Sequence, residues 1–269
     1  MSGAVPTPDR TLLEAIERLA HEAGQVILSV YRRDIEVTLK TDRTPLTEAD
    51  LRANEVILAG LARLTPQTPV LSEESVERFD GVGPGGTYWL VDPLDGTREF
   101  IRRNDEFTVN IALIHQGAPV LGVVVAPALG VSYLAARGLG AFKVEGEGGA
   151  WQPIRCRGFD PARGYRVLGS RSHQDPRLTS WLAALGKHRL TPLGSSLKAC
   201  LIAEGQADVY PRFGPTSLWD TAAAQAVVEE AGGVIVDQAG AALGYHTPAE
   251  RLNPSFFVWS KRAREHFCA

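Results

Sequence analysis

Trp89-Leu90-Val91-Asp92-Pro93-Leu94-Asp95-Gly96-Thr97-Arg98-Glu99-Phe100 is the stretch from which the rest of the chain can be read. The apolar run Tyr88 to Val91 reads as a buried strand, followed by Asp92, a turn at Pro93-Leu94 and a second carboxylate at Asp95. Gly96-Thr97 then opens a short helix. Two carboxylates three residues apart around a tight turn can point into one spot, where, unpaired, they repel and one is driven to protonate. A hard divalent cation removes that problem, since Mg²⁺ takes oxygen ligands from one or two carboxylates and from substrate phosphate. Gly96 lets a ligand approach the backbone, and the free N–H groups of a helix start favour an anion. Without that chemistry, the same residues read as an Asp-Pro turn with a helix cap.

Three other acidic stretches fit the same plan. Thr44-Pro45-Leu46-Thr47-Glu48-Ala49-Asp50 precedes a helix, Leu71-Ser72-Glu73-Glu74-Ser75 follows a short apolar strand, and Ser217-Leu218-Trp219-Asp220-Thr221-Ala222-Ala223 opens a late helix. Together the four ordered motifs resemble the lithium-sensitive, magnesium-dependent phosphatase superfamily of inositol monophosphatase, from about Leu12 to Trp259. Gly194-Ser195-Ser196-Leu197-Lys198 and Tyr210-Pro211-Arg212-Phe213-Gly214-Pro215 are similar to its branch of CysQ-type 3'(2'),5'-bisphosphate nucleotidases. The resemblance implies an α+β fold, a two-lobed layered α-β-α-β-α sandwich of the inositol monophosphatase and fructose-1,6-bisphosphatase type. It also implies a single phosphatase domain over 1–269, with an N-terminal metal-binding lobe (about 1–150) and a C-terminal α/β lobe (about 151–269).

The composition agrees with such a protein. With 269 residues, 44% hydrophobic and 22% charged, the chain can bury a sizeable core. A net charge of −3 argues against a general nucleic-acid binder, which carries a basic excess. Cys156, Cys200 and Cys268 are odd in number and match no zinc or redox spacing, so a reduced, cytoplasmic protein is expected. The first nine residues lack the basic start and apolar core of a signal peptide. No apolar run approaches the ~20 residues needed to span a membrane, so no integral membrane segment is expected. Oligomeric state and peripheral membrane attachment are left open.

Apolar residues from Leu12 to Val30 fall at helical spacing, with Asp9 as a cap. Val37 to Lys40 reads as a strand, and Thr47 caps a helix from Glu48 to Arg63 with Leu51, Val56, Ile57, Leu58 and Leu61 as candidates for burial. Pro69 to Leu71 reads as a strand ending near Glu73, and Phe107 to His115 pairs with Pro119 to Ala126 through a Gln116-Gly117 turn. Two more strands follow at Val131–Ala136 and Ala141–Val144. The Gly-rich segment Glu145 to Pro153 is the candidate border between lobes. Beyond it strands and helices alternate, with helices at Pro176–Leu185, Ser196–Glu204 and Asp220–Ala231, the last stopped by Gly232-Gly233.

What the residues would do follows from the family pattern. Two ions can neutralise a phosphate dianion, generate a hydroxide-like water and stabilise the leaving oxygen. The resemblance implies that Glu73, Asp92 and the carbonyl of Leu94 hold one Mg²⁺, that Asp92, Asp95 and Asp220 hold a second, and that a third sits near Glu73 mostly through water. Glu74, if the segment is extended, points away because neighbouring side chains alternate. Asp50 and Thr97 match the pair that orients and deprotonates the attacking water; read alone, Thr97 is a helix cap and Asp50 a first-turn acid. Gly96 and Thr97 also belong to the substrate set, as does His173, which otherwise reads as a surface histidine. Ser195, Ser196 and Lys198 form a cationic, hydroxyl-rich helix start suited to a second phosphate; Lys198 is one of five lysines among 28 basic residues. Arg212 adds a charged fork or a surface to stack on a base.

The reading is therefore a Mg²⁺-dependent phosphomonoesterase, sensitive to Li⁺, converting adenosine 3',5'-bisphosphate to AMP and phosphate. 3'-Phosphoadenylyl sulfate is a further substrate under this reading, which places the protein in sulfur assimilation. Its rival is an inositol-phosphate phosphatase with the same metals and a polyol pocket, which should lack the Ser195-Ser196-Leu197-Lys198 and Arg212 features. A third reading is a catalytically silent nucleotide- or metal-sensing protein; the full set Asp50, Glu73, Asp92, Asp95, Thr97 and Asp220 argues against it.

Overall fold

A computed structural model describes residues 8–33, 37–39, 45–172, 175–246 and 248–269. Helix α1 (Arg10–Tyr31) starts where Asp9 accepts a hydrogen bond from Leu12 N at 2.9 Å. It buries Leu13, Ile16, Ala20, Ala23 and Ile27, one face at helical spacing. A short hairpin, β1 (Val37–Leu39) and β2 (Pro45–Thr47), leads into α2 (Glu48–Leu64). The two helices touch so closely that a Cβ on Gly60 would fall 2.2 Å from Leu19 Cδ1. Along α2, Ile57 and Leu61 are buried as expected, Val56 and Leu58 only partly, and Leu51 is not. The inner face of the helix is Ala49, Ala53, Ile57 and Leu61, and the larger Leu51 is 46% exposed, because small residues take the side that abuts α1.

The two helices cover one face of a seven-stranded sheet. It contains β3 (Val70–Ser72), β4 (Thr87–Asp95), β5 (Thr108–His115), β6 (Ala118–Ala126), β7 (Val131–Ala136), β8 (Gly140–Glu145) and β9 (Gln152–Ile154). Only β3–β4 is parallel; the rest is an antiparallel meander. Between β4 and β5 lies helix α3 (Thr97–Arg102). Trp89, Val91, Ile111 and Val123 face α1 and α2, and Tyr88, Leu90, Ala112 and Val124 face the opposite layer. Both faces are covered, which is why the strands read as near-continuous apolar runs. The Gly-rich segment taken as the lobe border closes β8 onto β9, and the chain passes to the second sheet through 155–164.

That second sheet has the order β11-β10-β12-β14-β13. Its members are β10 (Tyr165–Ser170), β11 (His188–Leu193), β12 (Val209–Arg212), β13 (Gly233–Asp237) and β14 (Phe256–Ser260). Helices α5 (Leu197–Ala203) and α6 (Ala222–Glu230) lie between the sheets, and α4 (Pro176–Leu185) and α7 (Lys261–Phe267) cover the outer face. The layering is α-β-α-β-α. Helix α6 presses directly on β6: a Cβ on Gly122 would sit 2.2 Å from the Ala223 carbonyl oxygen. Among the described residues, no helix is long and apolar enough to cross a membrane.

Candidate active site

The site begins with an irregularity in β4. Residues three apart on a regular strand point to opposite faces. Here Asp92 pairs with Asn110 and Asp95 with Thr108, so three steps on β4 match two on β5. One extra residue makes a β-bulge, and it brings the two carboxylates to the same side. The turn expected at Pro93-Leu94 is this bulge, within a strand that runs on to Asp95; a bulge also tolerates proline in a central strand. The Leu94 N–H donates to Asp92 Oδ1 at 3.0 Å. Gly96 follows at φ 94°, in the left-handed region, where a Cβ would press on the Glu106 carbonyl at 3.0 Å.

The third carboxylate comes from the C-terminal half. Asp220 ends a 3-10 turn, Leu218–Asp220, and the regular helix α6 starts only at Ala222, two residues later than expected. A capping box fixes the turn, with Ser217 N donating to Asp220 Oδ2 at 2.9 Å. Asn253 holds it from behind, its Nδ2 donating to the Ser217 carbonyl at 2.6 Å. Carboxylate oxygens of Asp92, Asp95 and Asp220 lie within 4.8 Å of one another. Glu73 lines the same cavity from the end of β3. The segment Glu73–Arg78 is a 3-10 helix, so Glu74 is not turned away by strand alternation. Its charge also reaches Asp92.

The electrostatics follow from this crowding. Burial pushes the Asp92 carboxyl well above its usual range, and Glu73, Asp95, Asp220 and Glu74 push it further. Asp220 is raised by burial, then by Asp95 and Glu73, against a smaller pull from its Ser217 bond and Arg212. Asp95 is raised by burial to about 6, although Lys198 and the Ser196 N–H pull it down.

Beside the trio, Asp50 and Thr97 meet. The Thr47 N–H and hydroxyl both donate to Asp50 Oδ2, at 2.8 and 2.6 Å. That leaves Oδ1 to accept from Thr97 Oγ1 at 3.3 Å, while the Leu94 carbonyl lies 3.4 Å from the same hydroxyl. The cap thus fixes which Asp50 oxygen faces Thr97.

The cavity, which holds about 240 Å³, is also lined by two buried cations. Lys198 is 4% exposed, donates to the Ser195 carbonyl, and has its ammonium 5.0 Å from the centre of the Tyr210 ring. Burial lowers its pKa to about 8, although the Asp95 carboxylate opposes that. Arg212 is 8% exposed; its Nη2 donates to the Pro215 carbonyl at 2.8 Å, and its buried Nε has no hydrogen-bond partner among the described residues. Ser195 is a non-glycine residue at φ 47°. Ser196 has its N–H on Asp95 Oδ2 at 2.6 Å and donates its hydroxyl to Asn110 Oδ1 at 2.8 Å. Gly96, Thr97, Ser195, Ser196, Lys198 and Arg212 all line the cavity. His173 lies outside the described residues.

Asn110, Thr108 and Asn253 support the site without having been singled out from the sequence, and Tyr210 was quoted only as part of the Arg212 motif. The available signal was Thr108 and Asn110 themselves, two buried polar residues at alternate positions of an apolar strand, where polar groups need partners.

A family model for the inositol monophosphatase family matches residues 9–264. Among curated proteins, the chain is 53% identical over 250 residues to a 3'(2'),5'-bisphosphate nucleotidase CysQ of Salmonella typhimurium, covering 92% of this chain and 99% of that one. It is 50% identical over 250 residues to the protein of the same name in Escherichia coli, with the same coverage. Among solved structures, CysQ from Bacteroides thetaiotaomicron, a bacterial member of the inositol monophosphatase family, superposes with a TM-score of 0.79. The identity there is 39%, over 94% of this chain and 97% of that chain.

Proposed function

The chain belongs to the inositol monophosphatase family, and we propose that it is a magnesium-dependent nucleotidase that removes the 3'-phosphate of adenosine 3',5'-bisphosphate, leaving AMP. The observation that carries the substrate is the pairing, in one cavity, of a carboxylate trio with the buried cations Lys198 and Arg212. A bisphosphate has one phosphate for each end. A polyol phosphate has nothing for two buried cations to meet.

The donor set fits Mg²⁺. It is all oxygen, and Asp92 and Asp220 are raised by burial and by their acidic neighbours, so that a divalent cation relieves a repulsion the protein alone does not. Glu73, Asp92 and the Leu94 carbonyl would hold one ion; Asp92, Asp95 and Asp220 would hold a second, with Asp92 shared. A third would sit near Glu73, mostly through water. Bound Mg²⁺ supplies Lewis-acid neutralisation of the phosphate and of the leaving oxygen.

The chain's own groups do the rest. Because Thr47 occupies Asp50 Oδ2, Asp50 Oδ1 is the acceptor that Thr97 meets, and the Thr97 oxygen can in turn accept from the attacking water. The water's proton is thereby drawn towards Asp50. Gly96 leaves the backbone open beside the reacting phosphate. Lys198 and the Arg212 Nε face the second phosphate, and Ser196 acts through its bond to Asp95. Phosphate release with Mg²⁺ tests the whole reading. Adenosine 3',5'-bisphosphate should exceed inositol 1-phosphate in kcat/KM by about tenfold or more, as one charge-assisted contact implies. Equal or reversed preference sinks the nucleotidase assignment, and no release of phosphate from either substrate leaves the silent sensor.

A further inference from the structure

Glu106, between α3 and β5, lies outside the cavity lining; its charge reaches Lys198, and its side chain ties down the loop that leads to that lysine. Its carboxylate accepts three hydrogen bonds. Oε2 takes the Gly194 N–H at 2.7 Å and Arg171 Nε at 2.8 Å, and Oε1 takes Arg171 Nη2 at 2.6 Å. The same Nη2 reaches the Pro192 carbonyl at 2.9 Å. One side chain therefore fastens the outgoing ends of both β10 and β11 to the rim of the first sheet. Its backbone carbonyl is wedged between two glycines: a Cβ on Gly96 would lie 3.0 Å from it, and a Cβ on Gly194 2.8 Å. Gly96 opens the Thr97 helix on the carboxylate side, and Gly194 opens the loop to Lys198 on the basic side.

We infer that Glu106 is a positioning residue that sets the span between the two phosphate-binding ends of the cleft, and so the preference for a bisphosphate over a monophosphate. This rests on the nucleotidase reading above. The Gly194–Lys198 loop needs such a tie, because Ser195 is held at φ 47° and strain of that kind persists only where the surroundings impose it. Arg171 is 39% exposed, so the ion pair adds little to stability, and its value is the bidentate geometry. Without the tie, the loop relaxes at Gly194 and Ser195 and Lys198 moves off the second phosphate, while the bond from the Ser196 N–H to Asp95 keeps the carboxylate side of the loop in place.

The test compares adenosine 3',5'-bisphosphate with adenosine 3'-phosphate, the same nucleoside without the second phosphate, in the wild type, Glu106→Ala and Glu106→Gln, with melting temperatures alongside. Glu106→Ala should raise KM for the bisphosphate about tenfold, as loss of one phosphate contact does, with kcat within about threefold. Its kcat/KM on the monophosphate should stay within about threefold of wild type. Glu106→Gln keeps an acceptor for the Gly194 N–H and should recover part of the KM. Equal losses on both substrates, a fall in kcat at unchanged KM, or an unchanged bisphosphate KM would each overturn the inference. If Glu106→Ala does not fold, Glu106→Gln and Arg171→Ala carry the same comparison, with a smaller KM increase expected. A wild type that does not turn over the bisphosphate overturns the nucleotidase reading instead, and is told apart by that result alone.

Discussion

At the acidic end of the cleft, Asp92, Asp95 and Asp220 crowd one another; burial outweighs the help that Lys198 gives Asp95, and burial with repulsion outweighs the help that Arg212 gives Asp220. At the basic end, the loop from Gly194 to Lys198 is held by partners the chain itself supplies: Glu106 on Gly194, Asp95 and Asn110 on Ser196. The acidic end is thus finished by its ligand, whereas at the basic end the protein finishes the loop and leaves the Arg212 Nε to a ligand. Substitutions should then behave differently at the two ends. Removing a charge from the first relieves the metal-free fold while destroying activity. Removing one from the second costs fit to substrate without that gain.

The largest expected effect breaks the acidic end. Asp92→Asn takes away the ligand shared by both ions, and loss of metal stabilisation worth several kcal/mol corresponds to a fall of about 10⁴-fold in kcat. The metal-free melting temperature should rise, because the most crowded of the carboxylates is neutralised. Near wild-type turnover at saturating Mg²⁺ would show that Asp92 is not the shared ligand. Next comes the proton path, where Thr97→Ala should lower kcat about 10²- to 10³-fold, as loss of a positioned proton-transfer group does. Its Mg²⁺ affinity should move far less than that of Asp95→Asn; matching losses would place Thr97 within the metal site.

The basic end should show a smaller and more selective loss. Lys198→Ala removes one charge-assisted contact, about 1.5–3 kcal/mol, or roughly ten- to hundredfold in kcat/KM on adenosine 3',5'-bisphosphate. Inositol 1-phosphate, with its single phosphate at the acidic end, should fall much less. Equal losses in a folded protein would make Lys198 a structural cation beneath Tyr210 and revive the polyol pocket.

The same contrast governs what could be read from the sequence. The acidic end was legible because Asp92, Pro93, Asp95 and Gly96 are neighbours whose turn chemistry is local, and α1 because its apolar face repeats at helical spacing. The bulge was not, since Pro93 marks a turn and a bulged strand alike; pairing with β5 decides between them. Glu106 and Asn253 were invisible because their partners lie 88 and 36 residues away and only the fold brings them together. Strand β9 is three residues long at a sheet edge, and α7 (Lys261–Phe267) buries only Ala263, so neither leaves a periodic pattern.

The smallest effect is the finest test of the contrast, and it needs no substrate. The Asp95 carboxyl, ordinarily near 3.8, is raised to about 6 in the fold, and Asp92 and Asp220 are raised as well. Between those values the native state keeps a proton that the unfolded chain has released. The Asp95 share of stability must therefore fall as pH rises through that window and level off above it. Asp92 and Asp220 extend the fall beyond the Asp95 window. Mg²⁺ takes the place of the protons, so the metal-bound protein should lack this slope, and the stabilisation by Mg²⁺ should grow from pH 4 towards neutrality. Glu17 and Glu229 are raised by burial, and His21 is lowered by it, so each adds its own pH dependence. These groups titrate with and without metal alike, and the difference between the two melting curves cancels them. Each kcal/mol of that difference moves the midpoint by roughly 2–4 °C in a chain of this size. A Mg²⁺ shift that is flat from pH 4 to 7 would mean the carboxylates are already relieved by the protein, and the two ends of the cleft would no longer differ in kind. In Asp95→Asn the pH-dependent part of the shift should shrink but not vanish, since Asp92 and Asp220 still face each other.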